Sequence, residues 1–155
     1  MRGDRMCCGR KSVRDERHFL ALQCMINLEN IELLVQRMPV DDDFISVVES
    51  ALRLPFPKWY LQFLKQSNGF DANFLRLYPV DELVERNLTY EVAQYCPDFI
   101  NIGDDGGGQA ILIKSALLDD TSVYLVGHGV MTPEFMEIIG IDFLSWLEAG
   151  CPFPD

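Results

Sequence analysis

Four adjacent carboxylate pairs, Asp42-Asp43, Asp81-Glu82, Asp104-Asp105 and Asp119-Asp120, come nearest to chemistry by residue type and spacing. A carboxylate-metal hydrolase needs such groups to converge on one ion, normally with His, Lys or Arg beside them. The EF-hand pattern is not met: Asp104-Asp105-Gly106 has no bidentate Glu at the twelfth loop position. Each pair taken alone therefore reads as a helix cap or a turn rather than a ligand set, and a metal enzyme is the most remote reading. The chain has two histidines, few for a catalytic site. His128 lies between glycines, reads as an exposed polar loop residue, and would need Cys96 or Cys151 brought to it to form a thiol dyad. Ser67 precedes Asn68-Gly69 and is not in a G-x-S-x-G elbow, so a serine hydrolase has no support. The sequence names no catalytic residue, metal ligand or cofactor.

The elements that would hold these residues centre on Phe99–Ile113. Two apolar runs, 99–102 and 110–113, flank Gly103-Asp104-Asp105-Gly106-Gly107-Gly108, which predicts two strands joined by a glycine-built hairpin turn. A phosphate cradle is disfavoured: it needs bare N–H groups, a lysine and a following helix, whereas this loop carries two carboxylates and enters a strand.

Residues 1–17 are polar and basic and are expected to fray. From His18 to Met38 apolar residues recur roughly at helical spacing, and Pro39 ends the run. Asp41-Asp42-Asp43 predicts the capped start of a helix over 44–54, with one aspartate as the cap. Pro57 suits the first turn of a second helix carrying Trp59, Tyr60, Phe63 and Leu64, with Asn68-Gly69 as its C-terminal stop. A strand is expected over Phe74–Tyr78 with Arg76 facing solvent. Short helices are expected from Pro79 and over Tyr90–Tyr95, a strand over Val123–Val126, either strand or helix over Thr132–Ile139, and a last helix over Phe143–Glu148 behind Asp142. Helices at both ends of a run of short strands predict an α+β fold with a largely antiparallel sheet.

At 155 residues the chain is most simply one domain, spanning 18–155, and its 48% hydrophobic share is that of a folded protein. Residues 1–18 hold six basic and three acidic side chains, a net of +3; the remainder hold seven basic and 21 acidic, a net of −14. So acidic a body argues against binding a nucleic-acid backbone and for a basic partner. Five cysteines with no CxxC spacing suggest neither a disulfide framework nor a zinc site, and reduced thiols in a cytosol are the expectation. Phe19–Leu28 follows basic residues but lacks a small-residue cleavage site, so a secretory leader is not expected, and no stretch reaches the length of a membrane span.

The order of these features resembles the SMI1/KNR4 family, the SUKH superfamily. The run ISVVESALRLPFPKWYLQFLKQSNGF supplies Glu49, Leu54-Pro55, Tyr60, Phe63-Leu64 and Asn68-Gly69. FINIGDDGGGQAILI supplies the strand–turn–strand, and Phe143, Trp146 and Leu147 the closing helix. The resemblance covers about residues 44–148. It implies an α+β fold with an antiparallel sheet flanked by helices and no catalytic residues. It also implies one of two roles: bacterial members are commonly immunity proteins that neutralise a cognate polymorphic toxin, often a nuclease, and eukaryotic members are regulatory interaction modules. A basic nuclease domain would suit the acidic body. The candidate contact residues are then Asp104 and Asp105 first, with Asp71, Asp119 and Asp120 behind them.

Overall fold

Phe99–Asp104 (β4) and Gln109–Lys114 (β5) pair antiparallel, and both are buried along almost their whole length. A strand pair apolar on both sides needs cover on both sides. The computed structural model describes residues 25–154 and supplies that cover from one chain. Leu33–Gln36 (β1), Phe70–Ala72 (β2), Arg76–Leu77 (β3), β4, β5, Val123–Gly127 (β6) and Glu137–Gly140 (β7) form one seven-stranded sheet in sequential order. Every neighbouring pair is antiparallel. The α+β expectation and its antiparallel sheet are what the chain adopts.

The larger core joins one sheet face to helices Asp42–Leu52 (α1), Lys58–Leu64 (α2) and Phe143–Glu148 (α5), through Ile45, Val48, Tyr60, Phe63, Phe143 and Leu147. Asp41 caps α1 by accepting from the Phe44 N–H at 2.9 Å, as the sequence predicts for one aspartate of the three. Phe143 meets Trp59, Tyr60 and Phe63 with ring centroids 5.3–5.9 Å apart. The second, smaller core lies on the other face: Phe99, Ala110, Leu112, Tyr124 and Val126 against Val92 and Cys96 of Val92–Tyr95 (α4) and against Met131.

Helix Val80–Thr89 (α3) works at the sheet's inner edge. β3 is so short that it leaves β4 once the Tyr78 N–H has donated to the Ile102 carbonyl at 2.8 Å. Asn87 of α3 then takes over. Its Oδ1 accepts from the Asn101 N–H at 2.9 Å and its Nδ2 donates to the Asn101 carbonyl at 3.0 Å, so one buried amide imitates the missing strand.

Three expectations need correction, and one left open is resolved. The helical reading of His18–Met38 fails in its described part: a turn at residues 29–30 leads into β1 at Leu33–Gln36. Ile26 and Ile31 are buried, but the break in spacing between them is a real break in the chain's path. The first part of that segment, with the basic residues 1–17, lies outside the described residues. Asn68-Gly69 does not cap α2, which ends at Leu64. The Asn68 side chain instead accepts from the Val80 N–H at 2.8 Å and caps α3. The strand expected over Phe74–Tyr78 shrinks to Arg76–Leu77, because a turn after the unforeseen β2 occupies its first half. Thr132–Ile139 resolves into a 3-10 turn, Pro133–Phe135, and the edge strand β7.

Gly103 and Gly106 separate two uses of glycine. A Cβ on Gly103 would stand 2.3 Å from the Arg76 carbonyl oxygen, whereas Gly106, at φ +78°, faces open space. Gly106→Ala should cost only the left-handed penalty, about 1 kcal/mol. Gly103→Ala must push β3 off β4 and should cost about 3 kcal/mol or more. Urea denaturation of the two variants tests this, and equal losses would contradict the packing described.

Candidate functional site

Three of the five predicted aspartates fall at one end of the sheet. Register places Asp71, Arg76 and Asp104 side by side on β2, β3 and β4. Arg76 does not face solvent as expected: its Nε donates to Asp71 at 3.1 Å and its Nη atoms to Glu82 at 3.0 and 2.9 Å. Arg37 adds to Asp71 at 3.2 Å and Arg86 to Glu82 at 3.4 Å, so a half-buried ladder of alternating charge runs from β1 to α3. Hydrogen bonds from Arg76 hold the Glu82 carboxyl below its ordinary range against the opposing effect of burial. Asp71 is thus the acceptor that two arginines share.

The turn after β4 is built by its own acids. Asp104 Oδ1 accepts from the Gly106 N–H at 2.9 Å and its Oδ2 from the Tyr78 hydroxyl at 2.7 Å. Asp105 Oδ1 accepts from the N–H groups of Gly107 at 2.8 Å and Gln109 at 3.0 Å. These are Asx turns that let the Gly-rich loop close without unpaired amides. Burial and the Asp104 bond push the Tyr78 phenol well above its usual range, and the guanidinium of Arg86 lies 4.8 Å from its ring centroid.

His128 belongs to this end too. It is not an exposed loop residue: its N–H donates to the Gly108 carbonyl at 2.9 Å, and its ring stacks on Tyr90 with centroids 4.0 Å apart and 12° between planes. Burial lowers its pKa, with Asp104 and Asp105 pulling the other way. The ring is therefore held neutral near pH 7. A groove of about 410 Å³ opens beside it, lined by Tyr90, Glu91, Tyr95, Val130 and Met131 among others. The sequence flagged none of those five as site residues. The pairing of the β5 start with the β6 end, Gln109 opposite Gly127, brings His128 to the acidic turn, and no local motif encodes that pairing.

Asp119 and Asp120 lie at the other end of the β5–β6 pair. Asp120 accepts from the Tyr124 hydroxyl at 2.6 Å, the Ser122 N–H at 2.9 Å and the Lys114 ammonium at 2.9 Å. Burial opposes its charge, yet these three donors carry the carboxyl far below its ordinary range. Asp119 is exposed. Between Ala110, opposite Asp104, and Lys114 the strand advances about 13 Å, so the five aspartates form two separate groups.

Burial raises the thiol pKa values of Cys96 and Cys151, and no group of three His, Cys, Asp or Glu among the described residues is placed to hold a metal ion. No helix among the described residues is long and apolar enough to cross a membrane.

The motif residues that carry the resemblance are occupied with the fold. Glu49 Oε2 accepts from the Phe56 N–H and closes the Leu54-Pro55 bend, Asn68 caps α3, and Trp146 Nε1 donates to the Pro152 carbonyl at 2.9 Å. The model of the SMI1 / KNR4 family (SUKH-1) matches residues 39–149. The chain belongs to that family. No curated protein matches it.

The Asp120 cluster has a consequence in acid. Its folded-state pKa is depressed, so the stability it contributes is present above the unfolded value of about 3.9 and is lost as pH falls from there toward the folded value. Asp120→Asn should lose about 1–2 kcal/mol at pH 7 and show a shallower decline in stability between pH 5 and pH 2. Parallel acid titrations of the native chain and the variant would argue against the cluster as described.

Proposed function

We propose that this member of the SMI1/KNR4 family is a non-catalytic immunity protein that binds and neutralises a cognate polymorphic toxin in the cytosol of the cell that makes both. Family membership over residues 39–149 is the observation that carries the reading. The charge supports it: the net of −14 over residues 19–155 favours a partner with a basic surface, and a nuclease domain that grips phosphates has one.

Carboxylates of the β4–β5 turn form part of the contact surface in this reading. Asp104 and Asp105 hold the turn through single oxygens on backbone N–H groups. Asparagine keeps such an acceptor while removing the charge. The sheet end with Asp71, and the far group with Asp119 and Asp120, are the secondary candidates. Charge complementarity across a contact surface raises association rates more than it lowers dissociation rates.

Two measurements test this. Co-expression with the toxin encoded beside it should restore growth to cells that the toxin otherwise kills. The purified chain should also retain that toxin stoichiometrically. Retention of a signalling or housekeeping protein, with no rescue from any toxin, would place the chain among the family's regulatory modules. For the surface, the double variant Asp104→Asn with Asp105→Asn should slow toxin association about threefold to tenfold at low salt and flatten its salt dependence. An unchanged on-rate removes the turn from the interface.

A further inference from the structure

β1 is an outer strand of the sheet, and no described strand pairs with its far edge. Leu34, Val35 and Met38 are 60%, 45% and 83% exposed, three large apolar side chains within five residues. Natural edges are blunted by lysine, proline, a bulge or a covering segment. A bulge lies between Leu33 and Val35, but no lysine or proline falls between Leu33 and Met38, and Arg37 is turned to Asp71.

The path of the chain points to a cover. The Val40 N–H donates to the Leu64 carbonyl and the Asn68 N–H to the Arg37 carbonyl, which lays residues 37–40 beside 64–68 and sets Gln66 opposite Met38. The Gln66 side chain in turn holds Ile26 by both backbone groups, accepting from its N–H at 2.7 Å and donating to its carbonyl at 2.8 Å. The described residues therefore begin, at the exposed Met25, beside the C-terminal end of β1. Residues 18–24, His-Phe-Leu-Ala-Leu-Gln-Cys, come immediately before that point and hold no carboxylate, lysine or arginine. Seven residues reach at most about 25 Å, and Leu33 to Met38 spans about 17 Å, so the segment is long enough to run along this edge. The opposite edge, β7, is six strand spacings away, about 29 Å and beyond that reach.

Charge fits the same path. An extended run back from the level of Met38 reaches the level of Glu32 near residue 18, with Arg14 and Arg17 just before it. Glu32 is exposed at the head of β1, where Asn73 donates to it at 3.3 Å. A second copy on this edge would instead bring one body of net −14 against another. The family match begins at residue 39, so β1 and the segment before it both precede the shared scaffold.

We propose that residues 18–24 lie along the outer edge of β1, with Phe19, Leu20 and Leu22 on Leu34, Val35 and Met38 and with Arg17 at Glu32, and that they close this edge to other chains. The inference goes beyond the immunity reading and is tested on the free protein.

The test uses the full chain with 13C-labelled leucine and valine methyl groups. Overhauser contacts should join Leu20 or Leu22 to Leu34 and Val35. Chymotrypsin cleavage after Phe19 and Leu20 is timed in parallel, since it reports how often the segment is released. Leu34→Lys changes a mostly exposed side chain and should leave the amide spectrum of β4 and β5 intact. It should also abolish the contacts and speed cleavage about tenfold or more. Val47→Lys makes a similar exchange on exposed α1 and should leave cleavage within about twofold. Arg17→Glu should speed cleavage about threefold.

No contact between the segment and β1 in the native chain overturns the proposal. So do contacts to Val47, Leu117 or Leu118 instead, or equal acceleration by the two lysine variants. Light scattering that finds a dimer which Leu34→Lys dissociates also overturns it, since the occupant is then a second copy. The two readings fail separately. A chain that shows the contacts yet rescues cells from no toxin loses the immunity function and keeps the covered edge. A chain that rescues cells without the contacts keeps the function and loses the cover.

Discussion

Burial of both faces of β4 and β5 is the constraint from which the rest of the architecture follows. Each strand presents apolar side chains to both sides, so neither face can be left to water. One face takes α1, α2 and α5 with their aromatic cluster; the other takes α4 and the segment around Met131. Apolar strand interiors drive the polar residues to the strand ends. That is why the acidic turn and the Asp120 cluster stand at opposite ends of one hairpin.

The same constraint explains the buried polar groups. β4 outruns β3, and a backbone N–H and carbonyl left bare in the interior would each cost about 1–3 kcal/mol. Asn87 meets both, and the helix that carries it is fixed in turn by Asn68 at its first N–H. At the other margin of β3 the Arg37–Asp71–Arg76–Glu82–Arg86 ladder seals the sheet with charge that is almost self-cancelling. The strong acidity of the chain therefore has to be expressed elsewhere, in turns, helix starts and the groove rim.

The residues by which the family is recognised act chiefly on the fold. Glu49 closes a bend, Tyr60 and Phe63 fill the core, Asn68 caps a helix, and Gly69 sits where a Cβ would meet the Leu77 carbonyl at 2.3 Å. A scaffold specified in this way leaves the rest of its surface free to vary. The groove beside His128 belongs to that surface: of its lining, only Tyr90, His128 and Met131 are tied into packing.

The sequence by itself determined the elements whose signals are local. Asp41 before α1, Pro57 before α2, Asp142 before α5 and the glycine-built turn between two apolar runs each act through neighbours a few residues away, and each was legible. The α+β class and the antiparallel sheet followed from their order. Only the tertiary structure decided β1 and β2, because short strands gain their stability from partners distant in sequence rather than from their own composition. It also decided that Asn68 caps the helix that follows it rather than the one before, that Arg76 is paired rather than solvated, and that His128 rests on Tyr90 beside the acidic turn. Each of those depends on a contact across the sheet, and pairing register carries no mark in the residues that flank it. The site was therefore only half readable: its acids were visible as types, and the groove they border exists only once the strands have closed.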